Sequence, residues 1–192
     1  MKEIILLIGA YIIGNMLTGH VLAKFFYQKE IYHEGSGNAG ARNAGRLFGK
    51  SAFVITFFGD AGKGAITLLL ARWLGFTLEW QLFILLAVII GHIFPVVLHF
   101  HGGKGMSTYI GGMLAFHPIL FSVFTGVFLI IYLVFKSVTL AGMAALFILP
   151  VIMILFSFEW PAIIVSSIIS ALVIFAHRRN ITEKIFIERK IS

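Results

Sequence analysis

The residues best suited to chemistry are Lys104 and the glycines that flank it, Gly102, Gly103 and Gly105, in the segment GHIFPVVLHFHGGKGMST from Gly91 to Thr108. Glycines leave backbone amides uncovered, and bare amides beside an ammonium form a cradle for an anion such as phosphate. Thr108 is grouped with them as a phosphate binder. A second polar segment, EGSGNAGARNAGRLFGKS from Glu34 to Ser51, sets five glycines among Ser36, Asn38, Arg42, Asn43 and Arg46. Such a stretch folds close to a ligand. Asp60, the only aspartate, and Lys63 stand three apart inside an apolar run. On a helix they share a face, and charges within a span are paired or line a polar cavity. The pair either stabilises its own helix, fixes the polar loops or lends the charge of Lys63 to the site.

Several chemistries are excluded. Gly35, Gly37 and Gly40 satisfy G-x-G-x-x-G, but the pattern follows an apolar helix rather than a strand and no acidic residue lies some 20 positions on. GGKG is no Walker motif, because Met106 stands where a magnesium-binding Ser or Thr belongs. There is no G-x-S-x-G, no H-x4-D pair and no H-E-x-x-H, and the chain has no cysteine. Of seven histidines only His99 and His101 cluster, so neither a metal nor a cofactor is expected. The cations sit in loops beside apolar runs, which argues against nucleic acid and for anionic headgroups.

The elements that position these residues are membrane helices. At 59% hydrophobic and 12% charged residues, the chain has half the charge of a soluble domain, about 25%. Apolar stretches at 4–26, 51–74, 81–100, 107–135, 138–157 and 160–176 are mostly near the ~20 residues that cross a bilayer. The first is read as one retained helix, since no small-x-small cleavage site follows it. His117-Pro118 divides 107–135, because proline breaks the helical hydrogen bonding. Counting that stretch twice gives about seven transmembrane or half-membrane helices, all α, with the N-terminus outside. This puts Lys29, Arg42, Arg46, Lys50, Lys104, Lys136 and the basic tail on the cytoplasmic side, as the positive-inside tendency requires. Segment 107–117 is then a short or re-entrant helix packed against protein. The chain reads as a single polytopic domain over 1–192, with cytoplasmic loops at about 27–50 and 101–107 and a basic tail at about 177–192.

Four segments together resemble the bacterial acyl-phosphate:glycerol-3-phosphate acyltransferases of the PlsY type. They are GSGNAGARN followed by Arg46, then Asp60-x-x-Lys63-Gly64, then Gly91-His92 with Phe94-Pro95 and Gly102-Gly103-Lys104-Gly105, and finally His177-x-x-Asn180-Ile181. The resemblance covers nearly the whole chain. It implies transfer of a fatty acyl group from acyl phosphate to glycerol 3-phosphate, giving lysophosphatidic acid and phosphate as the first acylation of phospholipid synthesis. The expected place is the bacterial cytoplasmic membrane, with the site facing the cytoplasm. It also implies catalytic roles for Ser36, Arg46, Lys104, His177 and Asn180, substrate or phosphate binding by Gly37, Asn38, Asn43, Gly102, Gly103, Gly105 and Thr108, supporting roles for Arg42, Asp60, Lys63 and His92, and a substrate phosphate that accepts the hydroxyl proton.

The chain departs from that family pattern at Arg42, where threonine is usual, at His101, where lysine commonly precedes GGKG, and at Asn15, where serine is usual. Arg179 and Glu183 reverse expected charges. Two other readings compete. A transporter of a phosphorylated metabolite would also want broken helices and intramembrane charge, but its site belongs at the midplane and the chain shows no internal repeat. A relative that binds lipid phosphate without turnover is the other.

Overall fold

The computed structural model describes residues 1–182, so Glu183, Lys184, Arg189 and Lys190 of the basic tail lie outside the described residues. Every regular element among the described residues is helical. The chain divides into two compact units, Met1–Phe116 and the part from His117 on.

The first unit holds α1 (Lys2–Gly14), α2 (Thr18–Phe26), α3 (Ala41–Phe48), α4 (Lys50–Trp73), α5 (Leu78–Ile93) and α6 (Met106–Phe116). Its spine is α4, which packs on α3, α5 and most extensively α6, while α1 packs on α5. Backbones come close where glycines meet: a Cβ at Gly64 would strike the Thr108 carbonyl, and one at Gly111 the Ala61 carbonyl. Small residues thus let α4 and α6 touch along their backbones, as they do between membrane helices.

The stretch 4–26, expected as one helix, is two. It bends by 40° between α1 and α2, with Asn15, Met16 and Leu17 at the break. A break in an apolar run leaves backbone amides and carbonyls without intrahelical partners. Charged side chains of α4 meet them. Asp60 Oδ1 accepts from the Thr18 amide at 3.2 Å and the Thr18 hydroxyl at 3.1 Å, at the N-terminus of α2. Lys63 Nζ donates to the carbonyls of Gly14 at 3.0 Å and Met16 at 2.8 Å, at the C-terminus of α1. Each charge has the sign that its helix end attracts. Asn15 closes the same end, its Nδ2 donating to the Tyr11 carbonyl at 2.6 Å.

The short element expected before Pro118 is α6, 11 residues and so roughly 16 Å long. Its last carbonyls, Ala115 and Phe116, accept from the Arg72 guanidinium of α4, the latter at 2.6 Å. Asp60, Lys63 and Arg72 therefore close three ends of three short helices from one long one.

The second unit is regular. It contains α7 (Pro118–Phe135), α8 (Val138–Leu155) and α9 (Trp160–Ala176), with α8 packed on both neighbours. His117 caps α7, its Nδ1 accepting from the Leu120 amide at 3.2 Å, and Pro118 takes the first turn, where a missing amide costs nothing. Ser137 caps α8 by accepting from the Leu140 amide at 3.4 Å. Helices α4, α5, α7 and α8 are long and apolar enough to cross a membrane, and the bent α1–α2 pair makes a fifth; α9 is shorter and apolar. The protein is an all-helical, multi-pass integral membrane protein.

Candidate phosphate-binding site

Two polar loops carry most of the residues singled out in the sequence. The first runs from α2 through α3 and is built on Asn43, which is 2% exposed. Asn43 Oδ1 accepts from the Ser36 amide at 2.8 Å, and its Nδ2 donates to the carbonyls of Glu34 at 3.1 Å and Ile31 at 3.4 Å. All three bonds go to loop backbone, so Asn43 acts as a brace beneath Ser36. Asn38 Oδ1 accepts from the Gly40 amide at 2.8 Å, turning the chain into α3. Gly35 and Gly37 adopt left-handed backbone at φ of 61° and 64°, which turns the chain sharply on both sides of Ser36. Ser36, Gly37, Arg42 and Arg46 are exposed, and the two arginines, one helical turn apart, share a face of α3. Burial raises the pKa of the Tyr32 hydroxyl in this loop, with the charges of Glu30 and Asp60 adding to the effect, so the phenol stays neutral.

The second loop joins α5 to α6. The Gly103 amide donates to the His92 carbonyl at 3.0 Å, and the left-handed Gly105, φ 80°, leads into α6. Lys104 lies between them, half-buried. Thr108 is fully buried, its hydroxyl 3.3 Å from His92 Nδ1. His92 is 2% exposed, and its Nδ1 lies 3.9 Å from Asp60 Oδ1. Asp60 and Lys63 are 3.4 Å apart and almost wholly buried; Asp60 Oδ1 and Lys63 Nζ are committed to each other and to the α1–α2 break, while Asp60 Oδ2 is buried without a hydrogen-bond partner among the described residues. His101 is exposed, its Nδ1 donating to the His99 carbonyl at 2.8 Å.

A shared floor brings the loops to the same end of the first unit. Leu17, Leu22 and Ala23 around α2, Ile31, Ala39 and Ala44 of the first loop and Ala52 of α4 form one apolar cluster, and Leu98 from the approach to the second loop packs against it. Exposed Ser36 and Arg46 belong to the first segment and half-buried Lys104 to the second. Cations on polar loops at one end of a helical unit suit a phosphorylated ligand.

In the second unit His177 ends α9, its Nδ1 2.8 Å from the Val173 carbonyl. A carbonyl only accepts, so Nδ1 carries a proton and Nε2 is the basic nitrogen of the neutral ring. Arg178 packs over the Phe175 ring at 4.2 Å, and Asn180 follows in a further helical turn.

The chain is similar to known proteins over nearly its whole length. A family model described as glycerol-3-phosphate acyltransferase matches residues 4–186. The chain is 43% identical over 176 residues to glycerol-3-phosphate acyltransferase 1 of Bacillus cereus, covering 92% of this chain and 97% of the relative. The chain belongs to the glycerol-3-phosphate acyltransferase family. It is also 35% identical over 183 residues to the family member of that name from Desulfitobacterium hafniense, covering 95% of this chain and 91% of the relative. The crystal structure of PlsY (YgiH), an integral membrane glycerol 3-phosphate acyltransferase, in its glycerol 3-phosphate form, matches with a TM-score of 0.88 at 32% identity, covering 97% of this chain and 93% of that one. The lysophosphatidic acid form of PlsY matches with a TM-score of 0.85.

For this member of the acyltransferase family, the sequence placed Asn43 and Thr108 among ligand binders; in the structure Asn43 bonds the backbone of its own loop and the Thr108 hydroxyl lies 3.3 Å from His92 Nδ1. It passed over Thr18, Asn15 and Arg72, which close helix ends. Asn15 and Thr18 were visible as cap-forming types inside an apolar run.

Proposed function

We propose that this chain acylates glycerol 3-phosphate, taking the acyl group from an acyl phosphate and releasing lysophosphatidic acid and phosphate. The observation that carries the reading is the shared floor beneath the Ser36–Arg46 loop and the Lys104 loop, in a chain of this family. Two phosphorylated substrates repel one another, and Lys104 and Arg46 supply the opposing charge. The glycerol hydroxyl attacks the acyl carbonyl carbon, the new ester bond forms, and the bond from that carbon to the phosphate oxygen breaks. The Ser36 hydroxyl or the Asn38 side-chain amide orients the attacking hydroxyl or holds the developing oxyanion, a contribution of ~2.7–4 kcal/mol per donor. The proton passes to a substrate phosphate oxygen. Support for that route comes from the burial of Asp60, the only aspartate, which is 1% exposed with its Oδ1 engaged by Thr18 and Lys63. Asn43 and Thr108 hold the loops in shape.

His177 and Asn180 are assigned to the same reaction by their motif, and His177→Ala and Asn180→Ala should lose turnover while remaining folded. The membrane is the bacterial cytoplasmic membrane and the site opens to the cytoplasm. The positive-inside tendency supports this reading: counting α1 and α2 as one element and α6 as a half gives seven, an odd number that would leave the basic loops on one side with the N-terminus outside.

The donor decides the reading. Purified protein should convert glycerol 3-phosphate to lysophosphatidic acid with a long-chain acyl phosphate and not with the coenzyme A or carrier-protein thioester. Equal turnover with a thioester would overturn the assignment. Arg42, exposed on the same face of α3 as Arg46, adds a cation for glycerol 3-phosphate. Arg42→Thr should therefore raise the Michaelis constant for that substrate, and an unchanged constant would remove Arg42 from the site.

A further inference from the structure

We propose that His92 is the positioning residue of the second loop: its buried ring and its carbonyl together fix Gly103, and through Gly103 the place of Lys104. The proposal rests on the reading of Lys104 as a phosphate ligand.

Helix α5 ends at Ile93, so its last carbonyls lack the amides that a continuing helix would supply, and Pro95 has none to give. The His92 carbonyl takes its partner from the loop instead, the Gly103 amide at 3.0 Å. The same residue also covers Gly103 from the side. A Cβ at Gly103 would overlap His92 Nε2, and the three nearest atoms it would meet all belong to that ring. The far edge of the ring is set by α6 and α4, with Nδ1 3.3 Å from the Thr108 hydroxyl and 3.9 Å from Asp60 Oδ1. His92 thus touches the loop at two points on the residue before Lys104, and its ring is held by Thr108 of α6 and lies beside Asp60 of α4. A core histidine that only filled space would touch the loop without determining it. A side chain at Gly103 would have to displace this ring.

The test is a double-mutant cycle between His92 and Gly103. His92→Asn keeps a polar atom near Nδ1 for Thr108 and removes the Nε2 edge that faces Gly103. Gly103→Ala should raise the Michaelis constant for glycerol 3-phosphate on the order of tenfold in the wild-type background, a coupling typical of residues in contact. In the His92→Asn background the alanine methyl has room, and the same substitution should change the constant less than about twofold. His92→Asn alone should raise the constant more than it lowers the catalytic constant, at an unchanged melting temperature. A purely structural role would lower the melting temperature and leave the constant alone.

A second readout needs no turnover: the rate at which an amine-reactive reagent labels Lys104, followed by mass spectrometry, should show the same non-additivity. Inactive wild-type protein with non-additive labelling would overturn the acyltransferase reading and keep the positioning role. Additive effects of the two substitutions on both readouts would overturn the positioning role, whatever the activity.

Discussion

In Met1–Phe116 the buried polar side chains include Asp60, Lys63, His92 and Asn43, whereas among the described residues from His117 on they are Ser137, Thr139, Ser166 and Ser170. The backbones differ in the same way. The first unit breaks its opening helix, stops α6 at 11 residues and carries two long polar loops; the second runs through 17- and 18-residue helices joined by short turns. A lipid environment makes the two differences one fact. Irregular backbone is tolerated there only where side chains complete its hydrogen bonding, so the unit that bends its chain around polar loops must also bury charge.

That contrast is sharpest at the α1–α2 break. Lys63→Met removes the ammonium from the Gly14 and Met16 carbonyls and leaves Asp60 buried without its counter-charge, and should cost about 3–5 kcal/mol. Loss of monodisperse protein in detergent, or a large fall in melting temperature, checks it. The Asp60→Asn, Lys63→Met double variant should be less damaged than the sum of its parts, because no lone charge remains buried. A Lys63→Met protein as stable as wild type would show that the break does not depend on α4.

Next in size is the first loop. Asn43→Ala leaves the Ser36 amide and two carbonyls without their partner and should destabilise by about 1–3 kcal/mol. It should also depress acyl transfer, since Ser36 loses its brace; turnover and melting temperature measured on one sample would separate the two effects. In the second unit Ser137→Ala removes only an N-cap, worth ~1 kcal/mol. The smallest effect belongs to Ser170, 3% exposed, whose buried hydroxyl has no hydrogen-bond partner among the described residues. Ser170→Ala should change stability by no more than ~0.5 kcal/mol or raise it, because no bond is lost. A large loss at Ser170 and none at Asn43 would reverse the comparison.

The regular unit was the more legible in the sequence. His117-Pro118 marked the end of α6 and the start of α7, and the apolar runs fixed α8 and α9 closely, because proline chemistry and hydropathy act locally. In the first unit the sequence showed that Asp60 and Lys63 share a helix face but not what they serve. Their partners are 42 to 49 positions away, at Thr18, Gly14 and Met16, and no periodicity connects them. Asn43 shows the same limit. An asparagine in a glycine-rich loop can bond a ligand or the loop itself, and only the fold, by burying it under Ser36, chooses the second.

The central claim is that the loop carrying Lys104 binds phosphate in an acyl transfer to glycerol 3-phosphate. The most direct measurement is phosphate release from a long-chain acyl phosphate by the purified protein, with and without glycerol 3-phosphate, beside Lys104→Ala. Release should depend on the acceptor and fall roughly 100-fold or more in the variant, the size expected for loss of one charged donor at a reacting centre. No release from monodisperse wild-type protein, or equal release by Lys104→Ala, would contradict it.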